Sequence, residues 1–142
     1  GNAPDPQAEC RRYAALLREK PIDIVCAGIG ENGHMAFNDP PVADFDDPET
    51  VKLVRLDETC RMQQVHDGAF PHIDDVPTTA LTMTMPALMS GRWLFCIVPG
   101  PTKTEAVTRT LRGPITTACP ATIMRRHARA VLYLDRQAAA GL

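Results

Sequence analysis

Serine is almost missing from this chain of 142 residues. The only one, Ser90 in Met89-Ser90-Gly91-Arg92, stands outside any G-x-S-x-G elbow, which argues against a serine hydrolase. A basic excess is missing as well. Fifteen Lys and Arg face seventeen Asp and Glu, a net charge of −2, whereas a polyanion binder usually carries a positive surplus. No nucleic-acid partner is expected. No apolar run approaches the roughly 18 to 20 residues that span a bilayer, so no membrane partner is expected either. Residues 1–10, GNAPDPQAEC, have neither the basic nor the apolar part of a secretory signal. The five cysteines, at 10, 26, 60, 96 and 119, are odd in number and include no C-x-x-C pair. Cys26 and Cys96 lie in apolar runs, where a reduced thiol acts as a small hydrophobe. A reducing, cytoplasmic location is expected.

What is present is ordinary in bulk. Apolar residues at 44% and charged residues at 23% exclude a disordered chain. The length suits a single domain spanning residues 1–142.

Two periodicities alternate along the chain. Cys10, Tyr13, Ala14 and Leu17 recur at helical spacing within Pro6–Lys20, and Pro21 ends that helix. Ile22–Ala27 is a short β-branched run expected to form a buried, central strand. Residues Gly28–Asp47 show no sustained period, contain Pro40-Pro41, and read as a long loop, a feature that is usually functional. A strand over Val51–Leu56, a helix over Asp57–Val65, a strand over Ala80–Met83 and a helical turn over Met85–Met89 follow. Trp93–Val98 is a second fully apolar strand, stopped by Pro99-Gly100. Helices over Thr102–Leu111 and Pro120–His127 precede a last strand, Arg129–Leu134, and Gln137–Leu142 reads as a tail or helix stub. Strands apolar on both faces, alternating with helices, predict an α/β fold with an open, mainly parallel sheet flanked by helices.

The chemistry concentrates after the first strand, in Gly28-Ile29-Gly30-Glu31-Asn32-Gly33-His34-Met35-Ala36-Phe37-Asn38-Asp39-Pro40. Its first six residues match G-x-G-x-x-G, the dinucleotide fingerprint. That fingerprint needs a long helix behind it and an acid about 20 residues on. Pro40 and Pro41 arrive within seven residues of Gly33, and no well-placed acid follows, so no nicotinamide or flavin cofactor is expected. The remaining reading is a ligand loop at the C-terminal edge of a sheet. Gly28 and Gly30 would let backbone N–H groups approach a substrate. His34, flanked by Asn32 and Asp39, would be a proton carrier with its tautomer set by its partners.

Four segments carry a resemblance: NAPDPQAECRRY, IVCAGIGENGHMAFNDP, VPTTAL and PGPTK. Together they resemble the glucosamine-6-phosphate deaminases, also called isomerases, over Asn2 to about Leu134. The 6-phosphogluconolactonases share the glycine–histidine core but diverge where this chain has Phe37-Asn38-Asp39-Pro40. The resemblance implies a sugar-phosphate isomerase/deaminase fold acting on a phosphorylated amino sugar. The reaction is aldose–ketose isomerisation with loss of ammonia, giving fructose 6-phosphate without a cofactor. By position, His34 would open the pyranose ring and Asp39, where the family usually has Glu, would orient and charge it. Asn32 would fix the imidazole. Lys103, in the turn before a helix, would bind the phosphate. Two departures accompany it. The family is substantially longer, so the chain is expected to be a C-terminal portion lacking the N-terminal half and its enolisation base. Alone it would be inactive, and would form a homo-oligomer or associate with the missing segment. The family's phosphate-binding arginine also has no clear equivalent in Arg61–Asp67, where Arg61 fits only if the alignment shifts.

Other clusters read plainly. Asp44, Asp46, Asp47 and Glu49 form a solvated acidic loop without the EF-hand Gly and Glu. Arg125, Arg126, His127 and Arg129 suit a helix end, with an anion or a partner subunit as the alternative. His66 and His72 lack zinc-ligand spacing, and no metal is expected. Met83, Met85 and Met89 read as core. A 6-phosphogluconolactonase-like hydrolase and a non-catalytic sugar-phosphate-binding module are the alternative functions.

Overall fold

The computed structural model describes residues 3–142. Helix α1 spans Pro6–Arg18. Asp5 caps it by accepting from the Gln7 and Ala8 N–H groups at 3.0 Å each, and Pro6 supplies the preset first turn. Its buried stripe, Cys10 and Ala14, packs on Val51. The strands are β1 (Ile24–Ala27), β2 (Val51–Arg55), β3 (Thr79–Met83), β4 (Trp93–Val98) and β5 (Ala130–Leu134). The longer connections carry α2 (Glu58–His66), α3 (Met85–Met89) and α4 (Thr104–Arg112), with 3₁₀ turns at Ile73–Asp75, Pro101–Lys103 and Pro120–Arg126.

The main sheet is parallel, in the order β1-β4-β5, with Ile24 opposite Trp93 and Leu94 opposite Ala130. Strands β2 and β3 form a separate antiparallel ribbon, Val51 opposite Met83. The α/β architecture with a mainly parallel sheet is therefore as expected. The position of β1 is not. Within these residues β1 lies at an edge and β4 is central. Run apolarity reports that a strand needs cover, while the order of strands is set by the crossovers, which local pattern does not encode.

Among the described residues only one face of the sheet is covered. Val25, Leu94, Cys96 and Val98 join Ile29, Met35, Val107 and Ile123 in the main core. On the opposite face Ile24, Trp93, Ile97 and Tyr133 stay 55%, 39%, 50% and 53% exposed, with Cys26 exposed among them. The buried strand read at Ile22–Ala27 is thus buried on one side. On the open face the Trp93 and Phe95 rings lie parallel at 6.1 Å, and the Arg129 guanidinium sits 5.2 Å from the Trp93 ring.

The minor clusters resolve into supports. Asp44 and Asp47 accept from backbone N–H groups two residues on, and Asp47 pairs with Lys52 at 2.6 Å. Arg125 donates to the Leu111 and Gly113 carbonyls at the end of α4, a cation at a helix C-terminus but not at the end of its own Pro120–Arg126 segment, where the sequence pattern put it. Beyond β5, Asp135 accepts from the Gly100 N–H at 2.9 Å and the Ala138 N–H at 2.7 Å, which fastens the tail to the turn before Lys103. All five cysteines are unpaired. No helix among the described residues is long and apolar enough to cross a membrane.

Candidate functional site

Two loops meet beyond the C-terminal ends of neighbouring strands, the glycine loop after β1 and the Pro99–Lys103 turn after β4. In an open parallel sheet that edge collects ligands. The glycine loop closes on itself, with the Gly30 N–H donating to the His34 carbonyl at 3.0 Å and the Gly33 N–H to the Gly30 carbonyl at 2.9 Å. Gly30 has a steric reason to be glycine: the His34 imidazole lies where its Cβ would be. Gly33 adopts φ 88°, and a Cβ there would meet Cys119 Sγ at 2.6 Å. Gly28 lies exposed just after β1 and has no such constraint, its nearest neighbour to an added Cβ being the Ile97 carbonyl at 3.5 Å.

The structure brings His34, Asn32 and Asp39 together. His34 Nδ1 lies 2.8 Å from Asn32 Oδ1 and 2.9 Å from Asp39 Oδ1. The Asn32 Nδ2 amide donates to Asp39 Oδ1 at 3.0 Å, which fixes the amide so that its oxygen faces the imidazole. Two acceptors around Nδ1 require a proton there. Nε2 of the neutral ring is then the free base.

Asp39 is fully buried, and its Oδ2 accepts from the Asp57 N–H at 3.1 Å at the start of α2. Burial, the largest single influence, works against its charge. Hydrogen bonds from His34, Asn32 and the Asp57 N–H together outweigh it and hold the pKa below the usual aspartate value. Neighbouring Asn38, also fully buried, donates to the Met35 and Met83 carbonyls at 2.9 and 2.8 Å and anchors the loop on β3.

Cys60 completes this cluster, and the sequence reading missed it. Burial, then the charge of Asp39 and a hydrogen bond to it, push the Cys60 thiol up to about 12, so it stays protonated. No spacing rule flags it, because it reaches Asp39 only after α2 has docked on the loop. One nitrogen, one oxygen and one sulfur of His34, Asp39 and Cys60 lie within 4.8 Å of each other, but the sulfur is a protonated thiol and not a ready metal ligand.

A second polar group surrounds Lys103. Its Nζ is shielded from solvent and has no hydrogen-bond partner among the described residues. Burial lowers its pKa, opposed by the negative charges of Asp67 and Glu31. Glu31 is held by its N–H donating to Gln63 Oε1 at 2.9 Å, and its carboxylate lies 3.7 Å from His66 Nδ1. Arg61 points elsewhere: it donates to the Ile73 and Val76 carbonyls at 2.6 and 3.1 Å.

A histidine with one nitrogen held against a buried carboxylate, and a shielded lysine without a partner in the turn after the neighbouring strand, make an arrangement that can carry acid–base chemistry on an α/β sheet. Comparison with known proteins narrows this class. Residues 1–133 match the family described as glucosamine-6-phosphate isomerases/6-phosphogluconolactonase, and the chain belongs to that family. A glucosamine-6-phosphate deaminase of Exiguobacterium sibiricum is 41% identical over 98% of this chain and 53% of its own length. One of Listeria innocua is 37% identical over 98% of this chain and 57% of its own. The solved structure of a monomeric glucosamine-6-phosphate deaminase superposes with a TM-score of 0.92 at 37% identity, over all of this chain and 57% of that one. A 6-phosphogluconolactonase from Trypanosoma brucei, at TM-score 0.70 and 21% identity over 96% of this chain and 52% of that one, shares the fold. The chain spans about half the length of the curated relatives it matches.

Proposed function

We propose that these residues form the ring-opening and phosphate-binding part of a glucosamine-6-phosphate deaminase. The observation that carries this reading is the Asn32–His34–Asp39 cluster, which leaves Nε2 as the one free base of a buried-acid-backed imidazole. Nε2 takes the proton from the sugar O1 hydroxyl and delivers it to O5 as the C1–O5 bond breaks, so the pyranose becomes the open aldehyde. The Asp39 carboxylate stabilises the imidazolium in between and keeps the ring aimed. Asn32 fixes orientation and adds no charge. In the open-chain amino sugar a proton then moves from C2 to C1, and water hydrolyses the resulting ketose imine, its oxygen becoming the C2 carbonyl as ammonia leaves; no redox cofactor is needed.

Lys103 supplies positive charge for the 6-phosphate. Its shielded, unpartnered ammonium is what an incoming anion would satisfy. Gly28 and Gly30 leave the strand end open to substrate, Gly30 while also seating the imidazole. A 6-phosphogluconolactone hydrolase would use the same lysine, but Phe37-Asn38-Asp39-Pro40 and the closeness to deaminases favour the amino sugar.

The 142 residues act as one domain, and the bare sheet face is covered in the working protein by further polypeptide, from a second copy or from additional chain. Trp93, Ile97 and Tyr133 standing in water support this. Unpaired, mostly buried cysteines suit a cytoplasmic protein. A coupled assay for ammonia and fructose 6-phosphate, run on a polypeptide of the relatives' full length carrying this sequence, tests the activity. Absence of turnover with glucosamine 6-phosphate alongside hydrolysis of 6-phosphogluconolactone would replace this reading with the lactonase one.

A further inference from the structure

Backbone alone places Lys103. Its ammonium is shielded and has no hydrogen-bond partner among the described residues, so no polar contact of its own fixes where it stands. A lysine stem is flexible, and what the charge can reach is decided by the turn that carries its Cα. That turn is tied internally by the Lys103 N–H, which donates to the Gly100 carbonyl at 3.3 Å. Both of its ends are also tied to residues 135–142, beyond β5. At the entry, the Gly100 N–H donates to Asp135 Oδ2 at 2.9 Å. At the exit, the Thr104 hydroxyl lies 2.9 Å from the Pro101 carbonyl and 2.9 Å from the Gln137 carbonyl, bridging the turn to the tail.

The tail has its own anchors. Asp135 Oδ1 accepts from the Ala138 N–H at 2.7 Å, and Ala138 is fully buried in the main core. Arg112 on α4 donates to the Gly141 carbonyl at 3.2 Å, and a side chain on Gly141 would run into Thr108 of the same helix. Gly100, by contrast, has φ 96° and open space where a Cβ would stand. Glycine backbone that free to turn keeps one conformation only if something outside it holds it.

We propose that Asp135 and Thr104 are positioning residues of the phosphate site: through them the chain after β5 clamps the Pro99–Lys103 turn and holds the Lys103 ammonium where it meets the 6-phosphate. The inference rests on the phosphate reading of Lys103 above. Neither residue has to touch the substrate. Releasing the clamp lets the turn sample other conformations, so phosphate binding weakens while the proton transfers at His34 do not depend on it.

Steady-state kinetics test this on a polypeptide of the relatives' full length carrying this sequence, with glucosamine 6-phosphate and with unphosphorylated glucosamine. Asp135→Ala should raise KM for the phosphorylated sugar about 10-fold, the lower worth of a hydrogen bond to a charged group, with kcat falling far less. The reaction of glucosamine itself should not share that loss. Thr104→Val should act in the same direction, and Thr104→Ser, which keeps the hydroxyl, should restore the low KM. Asp135→Asn retains one acceptor oxygen; its KM should fall between, and it carries the comparison if the alanine variant does not fold. A lower kcat with KM unmoved would mean only less folded enzyme and would overturn the clamp. So would an unmoved KM in Asp135→Ala beside a raised KM in Lys103→Ala, with the phosphate reading left standing. An unmoved KM in Lys103→Ala, or no turnover of glucosamine 6-phosphate by the unsubstituted polypeptide, would remove the phosphate reading and this inference with it.

Discussion

The imidazole of His34 occupies the space that a side chain on residue 30 would need. This contact links a backbone position to an acid–base group four residues away. Gly30→Ala should push the ring off its seat and break the Nδ1 contacts to Asn32 and Asp39, even though alanine adds one methyl group. Turnover of the cyclic substrate should fall as far as in His34→Gln, with the fold retained by circular dichroism. Near-normal turnover in Gly30→Ala would show that the ring has another seat.

His34→Gln itself should slow the cyclic substrate by at least ~10²-fold, the usual worth of acid–base catalysis. Only ring opening uses this histidine in the proposed sequence. An open-chain analogue should be affected much less, and equal losses on both substrates would assign His34 to a different step.

Asp39 should leave a signature in acid. Its folded pKa lies below the unfolded value of roughly 3.9, so its contribution to stability is present above that value. As pH falls from about 4 through the depressed folded pKa, that contribution is lost. Urea midpoints measured from pH 7 to pH 3 on a polypeptide of the relatives' full length carrying this sequence should drop more steeply with Asp39 in place than in Asp39→Asn. Parallel acid limbs in the two proteins would contradict the buried ion-pair arrangement.

Lys103→Ala in the active polypeptide should raise KM for the phosphorylated sugar strongly while leaving the poor reaction of the unphosphorylated sugar nearly unchanged. An unaltered KM for the phosphorylated sugar would remove Lys103 from the site.

The bare sheet face predicts behaviour as well as structure. The purified 142-residue chain should release no measurable ammonia and should self-associate or precipitate, since Ile24, Trp93, Ile97 and Tyr133 have no cover of their own. Cys26 shares that face, and the other four cysteines are buried. A thiol reagent should therefore modify Cys26 first in dilute, dispersed chain and more slowly as association sets in. Robust ammonia release from a monomer in sedimentation velocity would mean that every group the reaction needs lies within these residues.

The sequence by itself determined the elements and the neighbourhood of the site. Asp5-Pro6 and the Cys10/Ala14 stripe specify α1 locally, and apolar runs bounded by proline and glycine specify β1 and β4, because caps, breakers and periodicity act within a few residues. His34, Asn32 and Asp39 were legible for the same reason: they share one short loop, and a turn brings them together without help from distant chain. Tertiary structure decided the rest. Strand order put β4 in the centre and β1 at the edge. Helix α2, about 20 residues further on, carried Cys60 to Asp39 and His66 to Glu31 and turned Arg61 away. Lys103 joined them only through the parallel pairing of β1 with β4, which aligns their C-terminal ends. Contacts of that span depend on how crossovers pack, and a linear pattern holds no record of which buried groups will meet.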